Sequence, residues 1–278
     1  AILAANAADM DAARAAGMRP AMLDRLLLDA GRIAGVAAGV RQVAALDDPV
    51  GRMVEMSTRP NGLQIGKRTV PLGVIGMIYE ARPNVTVDAA VLCLKAGNAV
   101  ILRGGKEAFR TNCALAELMR GAIEAAGLPA DAVSLVQDTS RASAAELMGL
   151  RGYLDVLIPR GGAGLIRSVV ENARVPVIET GAGVCHVYVE ATAQPDMAAR
   201  IIENAKCSRP SVCNAAETLL VDRAVAQDFL PLAAQALSAH GCVLRGCPET
   251  CAILPAAEPA AEADWDTEYG DYILSIKI

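Results

Sequence analysis

The segment Lys206-Cys-Ser-Arg-Pro-Ser-Val-Cys-Asn214 places Cys213 among Arg209, Ser211 and Asn214 rather than on an apolar stripe. A thiol in a polar loop beside a cation is enriched in thiolate and can act as a nucleophile. The plain alternative is a loop cysteine with no chemical role. Cys207, on the helical side of the same segment, reads as packing. An acyl-enzyme route from such a thiol needs donors for an oxyanion and an acid–base group. Asn84 follows a strand end and offers a side-chain N–H. Glu179 ends the segment VPVIET and offers a carboxylate, or is an ordinary strand-terminal acid. His186 alternates with valines in a strand pattern and reads as structural, so no Cys–His dyad supports a papain-like hydrolase.

Two further loops carry glycine beside a cation: Arg103-Gly-Gly-Lys106 and Arg160-Gly-Gly-Ala-Gly164. Neither matches the dinucleotide fingerprint or the P-loop. Each nevertheless falls between a strand pattern and a helix pattern. Glycine there lets backbone N–H groups approach a phosphate, and a helix start favours negative charge. The loops point to a nucleotide or dinucleotide, against the competing reading of tight turns with solvated charges.

The elements that must position these loops follow from the apolar pattern. Residues 1–17 and 20–46 read as two helices. Residues 52–70 read as a hairpin turning at Pro60-Asn61-Gly62. From 71 to 181, strand and helix patterns alternate: strands at 71–80, 99–105, 132–137, 154–162 and 175–181, helices at 85–97, 109–127, 143–150 and 163–173. Successive β–α steps predict a doubly wound parallel sheet, with ligands at the carboxyl ends of its strands. ARPN (81–84), RGGK, PRGG and ETG then share one rim. Beyond 181, strands at 184–190, 216–222 and 242–246 alternate with helices at 198–208 and 224–240, and 248–265 reads as loop.

Bulk properties narrow the function. The chain has 278 residues, 53% hydrophobic and 21% charged, which excludes a disordered chain. Its formal net charge of −5 argues against a nucleic-acid partner. No signal peptide or membrane span is visible, so the reading is soluble and cytoplasmic. None of the eight cysteines forms a CxxC pair and only two histidines are present, so no metal site is expected. The chain begins within a helix pattern and ends on a strand pattern, DYILSIKI, which reads as part of something longer, truncated at both ends.

PLGVIGMIYEARPNVTVDAAVLCLKAGNAVILRGGKEA (71–108), IPRGGAGLI (158–166), VPVIETGAGVCHVYV (175–189), KCSRPSVCNAAETLLV (206–221) and DWDTEY (264–269) closely resemble the glutamate-5-semialdehyde dehydrogenase family of the aldehyde dehydrogenase superfamily. The resemblance implies an aldehyde-dehydrogenase-like α/β fold. Residues 1–51 and 71–181 would form an NADP-binding domain, 52–70 an oligomerisation hairpin, and 182–278 an incomplete catalytic domain. It implies NADPH-dependent reduction of L-glutamyl 5-phosphate to L-glutamate 5-semialdehyde in proline biosynthesis, by a homo-oligomer in full-length form. Cys213 would be the nucleophile, with Asn84 and the Cys213 backbone N–H as oxyanion donors. Glu179 matches the acid that activates water in hydrolytic members, a role the reductive route does not call on. NADP(H) would lie over Met77, Ile78 and Tyr79, with Arg103 and Lys106 near its 2′-phosphate, Arg160, Gly161 and Gly162 at the pyrophosphate and Glu268 at the nicotinamide ribose. Charge alone suggests Arg82 and Arg209 as anchors for substrate phosphate or carboxylate. Another aldehyde or acyl-CoA dehydrogenase of the superfamily, and an inactive nucleotide-binding fragment, are the alternatives.

Overall fold

The computed structural model describes residues 1–278, the side chain at position 21 excepted, and they form two compact units, residues 1–180 and 181–278. The first unit opens with α1 (Ile2–Ala15), α2 (Pro20–Leu26) and α3 (Ala30–Ala45). The single helix predicted for 20–46 is therefore two. Asp29 turns extended and caps α3, accepting the Arg32 N–H at 2.7 Å. The apolar run Leu26-Leu27-Leu28 hides this break in the sequence. β1 (Met53–Thr58) and β2 (Gln64–Arg68) pair antiparallel as predicted, with Gly62 at φ 84° in the turn, and every residue of both strands is exposed.

Strands and helices then alternate: β3 (Val74–Tyr79), α4 (Asn84–Lys95), β4 (Ala99–Arg103), α5 (Phe109–Ala125), β5 (Val133–Leu135), α6 (Arg141–Gly149), β6 (Val156–Arg160) and α7 (Ala163–Asn172). The four strands are parallel in the order β5-β4-β3-β6. Ile75, Met77 and Tyr79 of β3 join the core beneath α4 and α5, while Ile78 joins the core beneath α6 and α7. That is the period of two expected of a strand buried on both faces, and it explains the continuous apolar runs. Strand order reverses between β3 and β6, so the loops after these strands lie at the topological switch point where such sheets bind ligands.

The strand predicted for 175–181 is a single bridge, Leu157 to Val177. Leu157 N–H donates to Pro176 O at 2.8 Å and Ile178 N–H to Leu157 O at 3.0 Å. Pro176 has no N–H with which to lengthen the ladder.

The second unit holds β7 (Cys185–Val189), α8 (Pro195–Cys207), β8 (Ala216–Val221), α9 (Arg223–Ser238), β9 (Val243–Gly246), α10 (Pro248–Ile253), β10 (Glu258–Pro259) and β11 (Ile273–Lys277). The sheet is parallel throughout, in the order β10-β9-β11-β8-β7. Its core joins Ile202 of α8, Leu219 of β8, Phe229 and Leu237 of α9, and Leu274 and Ile276 of β11. The 248–265 stretch, predicted as loop, contains α10, β10 and the start of a 3-10 turn, Glu262–Asp266. Pro248 starts α10 at the position where a missing N–H costs nothing. The Ala/Pro/Glu composition carries no period that would reveal it.

Candidate active site

In the second unit, Cys213 lies on the loop between α8 and β8. Pro210 and Ser211 are buried and Cys213 and Asn214 are exposed, so the loop is pinned at its middle and presents the thiol outward. Val212 N–H donates to Arg209 O at 3.4 Å and Ala215 N–H to Val212 O at 3.1 Å, folding the loop on itself. Two other segments meet it. Gly183, just before β7, packs so closely that a Cβ there would lie 2.5 Å from the Cys213 carbonyl oxygen. A side chain at 183 therefore displaces the backbone of Cys213. The Gly183 N–H donates to the Glu268 carboxylate at 2.9 Å. The Cys185 thiol lies 3.5 Å from the same Cys213 carbonyl. Gly183 thus joins the predicted nucleophile to the predicted ribose-binding acid.

Behind the loop is an ion pair that sequence reasoning missed. Lys206 Nζ and Glu217 Oε2 are 2.6 Å apart, with side-chain exposures of 0% and 1%. Burial pushes the Glu217 carboxyl above the ordinary carboxylate value, while Lys206 and the Gly270 N–H pull it down. Its other oxygen accepts that N–H at 3.1 Å. A lysine at the end of an amphipathic helix, eleven residues before a glutamate entering an apolar strand, was the available signal.

In the first unit, the rim of the sheet carries the predicted loops. Glu80 follows β3, and its carboxylate accepts the N–H of Gly162, the N-cap of α7, at 2.9 Å. A Cβ at Gly161 would lie 2.6 Å from the same carboxylate. Glu80 was not foreseen, because nothing in its spacing links it to a loop eighty residues on. The next residue, Ala81, has φ 26°, a conformation that a residue with a side chain adopts at a cost. Gly105 packs near the Ala81 N–H, so the ARPN and RGGK loops adjoin.

Met77, Ile78 and Tyr79 have side chains buried in the two cores, leaving the strand's carboxyl end as their accessible part. Arg103 Nη2 donates to the carbonyls of Thr139 and Ser140, each at 2.7 Å, closing that turn. Its buried Nε has no partner among the described residues. Lys106 is exposed at the head of the 3-10 turn Lys106–Ala108, and Arg160 is exposed at the end of β6. Asn84 is the first residue of α4, and its amide donates to the Asp88 carboxylate at 2.9 Å. Burial raises the Asp88 carboxyl and this hydrogen bond opposes it. Arg82 is half-buried, Glu179 is exposed on the segment after α7, and Arg209 is exposed on the cysteine loop. A cavity of about 390 Å³ between α5 and β5, lined by Cys113, Arg120 and Gln137 among others, includes none of these residues.

Comparison with known proteins fits this geometry. The family model described as "Aldehyde dehydrogenase family" matches residues 30–246. A gamma-glutamyl phosphate reductase of Moorella thermoacetica is 62% identical over 278 residues, all of this chain and 66% of the relative. One of Carboxydothermus hydrogenoformans is 58% identical over 277 residues, 100% of this chain and 67% of the relative. The chain thus spans about two thirds of the length of the curated relatives it matches. The crystal structure of a gamma-glutamyl phosphate reductase from Thermotoga maritima superposes with a TM-score of 0.89 at 44% identity, covering 99% of this chain and 67% of that one. On the family match, these identities and the shared architecture, the chain belongs to the aldehyde dehydrogenase family and groups there with the gamma-glutamyl phosphate reductases.

Proposed function

We propose that this chain carries the cofactor loops and the nucleophile of an enzyme that reduces L-glutamyl 5-phosphate to L-glutamate 5-semialdehyde with release of phosphate, a step of proline biosynthesis. The observation that carries the reading is the outward thiol of Cys213 on a loop joined through Gly183 to Glu268. The Cys213 thiolate attacks the acyl phosphate carbon, the C–O bond breaks and phosphate leaves, giving a thioester on Cys213. Bound NADPH supplies the hydride that reduces this thioester. The resulting thiohemiacetal collapses to the aldehyde and returns the thiolate. The Cys213 backbone N–H is the oxyanion donor beside the thiol, and Asn84 must give up its bond to Asp88 to act as a second. Glu179, exposed and at the end of its segment, has no water to activate on this route.

The first unit fits the cofactor by two features. The RGGK and PRGG loops sit at the carboxyl ends of β4 and β6, and Gly161 packs where a side chain would strike Glu80. The Gly162 N–H at the start of α7 would face the pyrophosphate, with Arg160 and Gly161 beside it, and Glu268 would hold the nicotinamide ribose. Lys106 is exposed and would meet the 2′-phosphate, whereas Arg103 commits its guanidinium to the carbonyls of Thr139 and Ser140. Arg82 and Arg209 would anchor the two ends of the substrate. The fully exposed β1–β2 hairpin, with Met53, Val54, Met56 and Ile65 uncovered, supports pairing with a second copy of the protein. Among the described residues no helix is long and apolar enough to cross a membrane.

The test is the reverse reaction, glutamate 5-semialdehyde with phosphate and NADP, for this chain and for the chain carried to the length of its relatives. Turnover that requires phosphate, is lost in Cys213→Ala and prefers NADP less strongly in Lys106→Ala is the expected result. Turnover that requires CoA in place of phosphate would move the chain to another branch of the family.

A further inference from the structure

The Lys206–Glu217 pair has no role in the chemistry above, yet it is the most deeply buried charge pair among the described residues. Lys206 lies in the last turn of α8 and Glu217 is the second residue of β8, so the pair brackets the Cys213 loop at both ends. The second Glu217 oxygen reaches a third segment at the Gly270 N–H. Lys206 Nζ also lies 6.0 Å from the Tyr269 ring. Tyr269 is fixed in turn, its hydroxyl 2.8 Å from Asp264 and 2.7 Å from Ser275. One residue before Tyr269, Glu268 accepts the Gly183 N–H, and Gly183 packs on the Cys213 carbonyl. The contacts close a circuit from the cysteine loop through Glu217, Gly270, Glu268 and Gly183, back to Cys213.

We propose that Lys206 and Glu217 are positioning residues that lock the Cys213 loop and the Glu268 segment in one register. A buried ion pair is a poor device for stability, since apolar residues of similar volume in its place are often neutral or better. What an apolar pair lacks is an acceptor for the Gly270 N–H and a single preferred geometry. The two charges therefore serve position rather than cohesion. The functional meaning rests on the reading of Cys213 as nucleophile and Glu268 as cofactor ligand; the structural coupling does not.

The test is hydrogen exchange and steady-state kinetics on the Lys206→Met/Glu217→Leu double variant and on Glu217→Gln, in the chain carried to the length of its relatives. In the double variant, exchange over 208–215 and 266–272 should rise about tenfold or more while β8 and β11 stay protected. KM for the cofactor should rise by a larger factor than kcat falls. Gln keeps one acceptor oxygen and turns an NH2 toward the other donor, so Glu217→Gln should retain one of the two contacts and fall between wild type and the double variant in both readouts. Unchanged exchange in the two segments, or a uniform rise across the unit with kinetics intact, overturns the proposal. If the double variant does not fold, wild-type exchange decides. Gly183 and Gly270 amides opening together, apart from the core, support the clamp, and protection factors differing by about tenfold or more overturn it. Turnover surviving in Cys213→Ala would instead sink the functional reading and leave the exchange result standing.

Discussion

The loop after β6 and the loop before β8 are held in opposite ways. The first is capped by one exposed carboxylate, Glu80, on the N–H of Gly162. The second is held from behind by Lys206 and Glu217, which neither solvent nor ligand reaches. An exposed, charge-assisted hydrogen bond competes continually with water and with any anion that arrives, so it contributes little to stability. A buried pair has no competitor, and removing one partner strands the other. On the proposed function, the loop that would receive phosphates is held by a partner of the same sign as its ligand, while the loop that would present the nucleophile is held by groups outside the reaction's reach.

The contrast breaks most visibly on stability. Lys206→Ala should lower unfolding free energy by about 3–5 kcal/mol, because the Glu217 carboxylate is left buried and unpaired. Denaturant titration checks it. A loss under about 1 kcal/mol would show that water enters the site. Next comes geometry at the thiol. Gly183→Ala sets a Cβ 2.5 Å from the Cys213 carbonyl oxygen. Reduction should fall about 100-fold, as expected when a reacting group is misplaced by an ångström. Retained rates would mean that the cysteine loop yields freely.

The exposed loop should answer more weakly. Glu80→Gln keeps an acceptor for Gly162 but removes a negative charge from the start of α7. Helix stability should change by about 0.3–1 kcal/mol. NADPH should bind a few-fold more tightly at low ionic strength, measured by fluorescence titration, with the gain fading as salt rises. The smallest effect concerns pH. Hydrogen bonds from Ala261 N–H and Tyr269, with Arg245, hold the Asp264 carboxyl below its ordinary value. A depressed carboxyl contributes stability above its unfolded pKa and loses it as pH falls through the folded one. Asp264→Asn should therefore cost stability near neutrality and flatten the acid limb of a melting-temperature profile.

Much of the first unit was legible because its signals are local. β3 and β4 are apolar runs closed by polar loops, and α5 carries a clean helical stripe at Leu115, Met119 and Ile123. The cysteine loop was legible for the same reason: Arg209, Ser211 and Asn214 surround Cys213 within a few residues. What escaped was tertiary. Glu80 meets Gly162 only because β3 and β6 are neighbours in the sheet. Lys206 meets Glu217 only because α8 packs on β8. Gly183 is one of two glycines in Thr180-Gly-Ala-Gly-Val184, and the sequence gives no hint which of them touches another chain segment. Arg103 turns its guanidinium to the 139–140 carbonyls, a direction no spacing rule fixes.

The central claim is that Cys213 carries the acyl group. Glutamate 5-semialdehyde and NADP, supplied without phosphate, should leave a glutamyl adduct on the peptide containing Cys213, detected by mass spectrometry and discharged when phosphate is added. An adduct on any other cysteine, or turnover undiminished in Cys213→Ala, would contradict it.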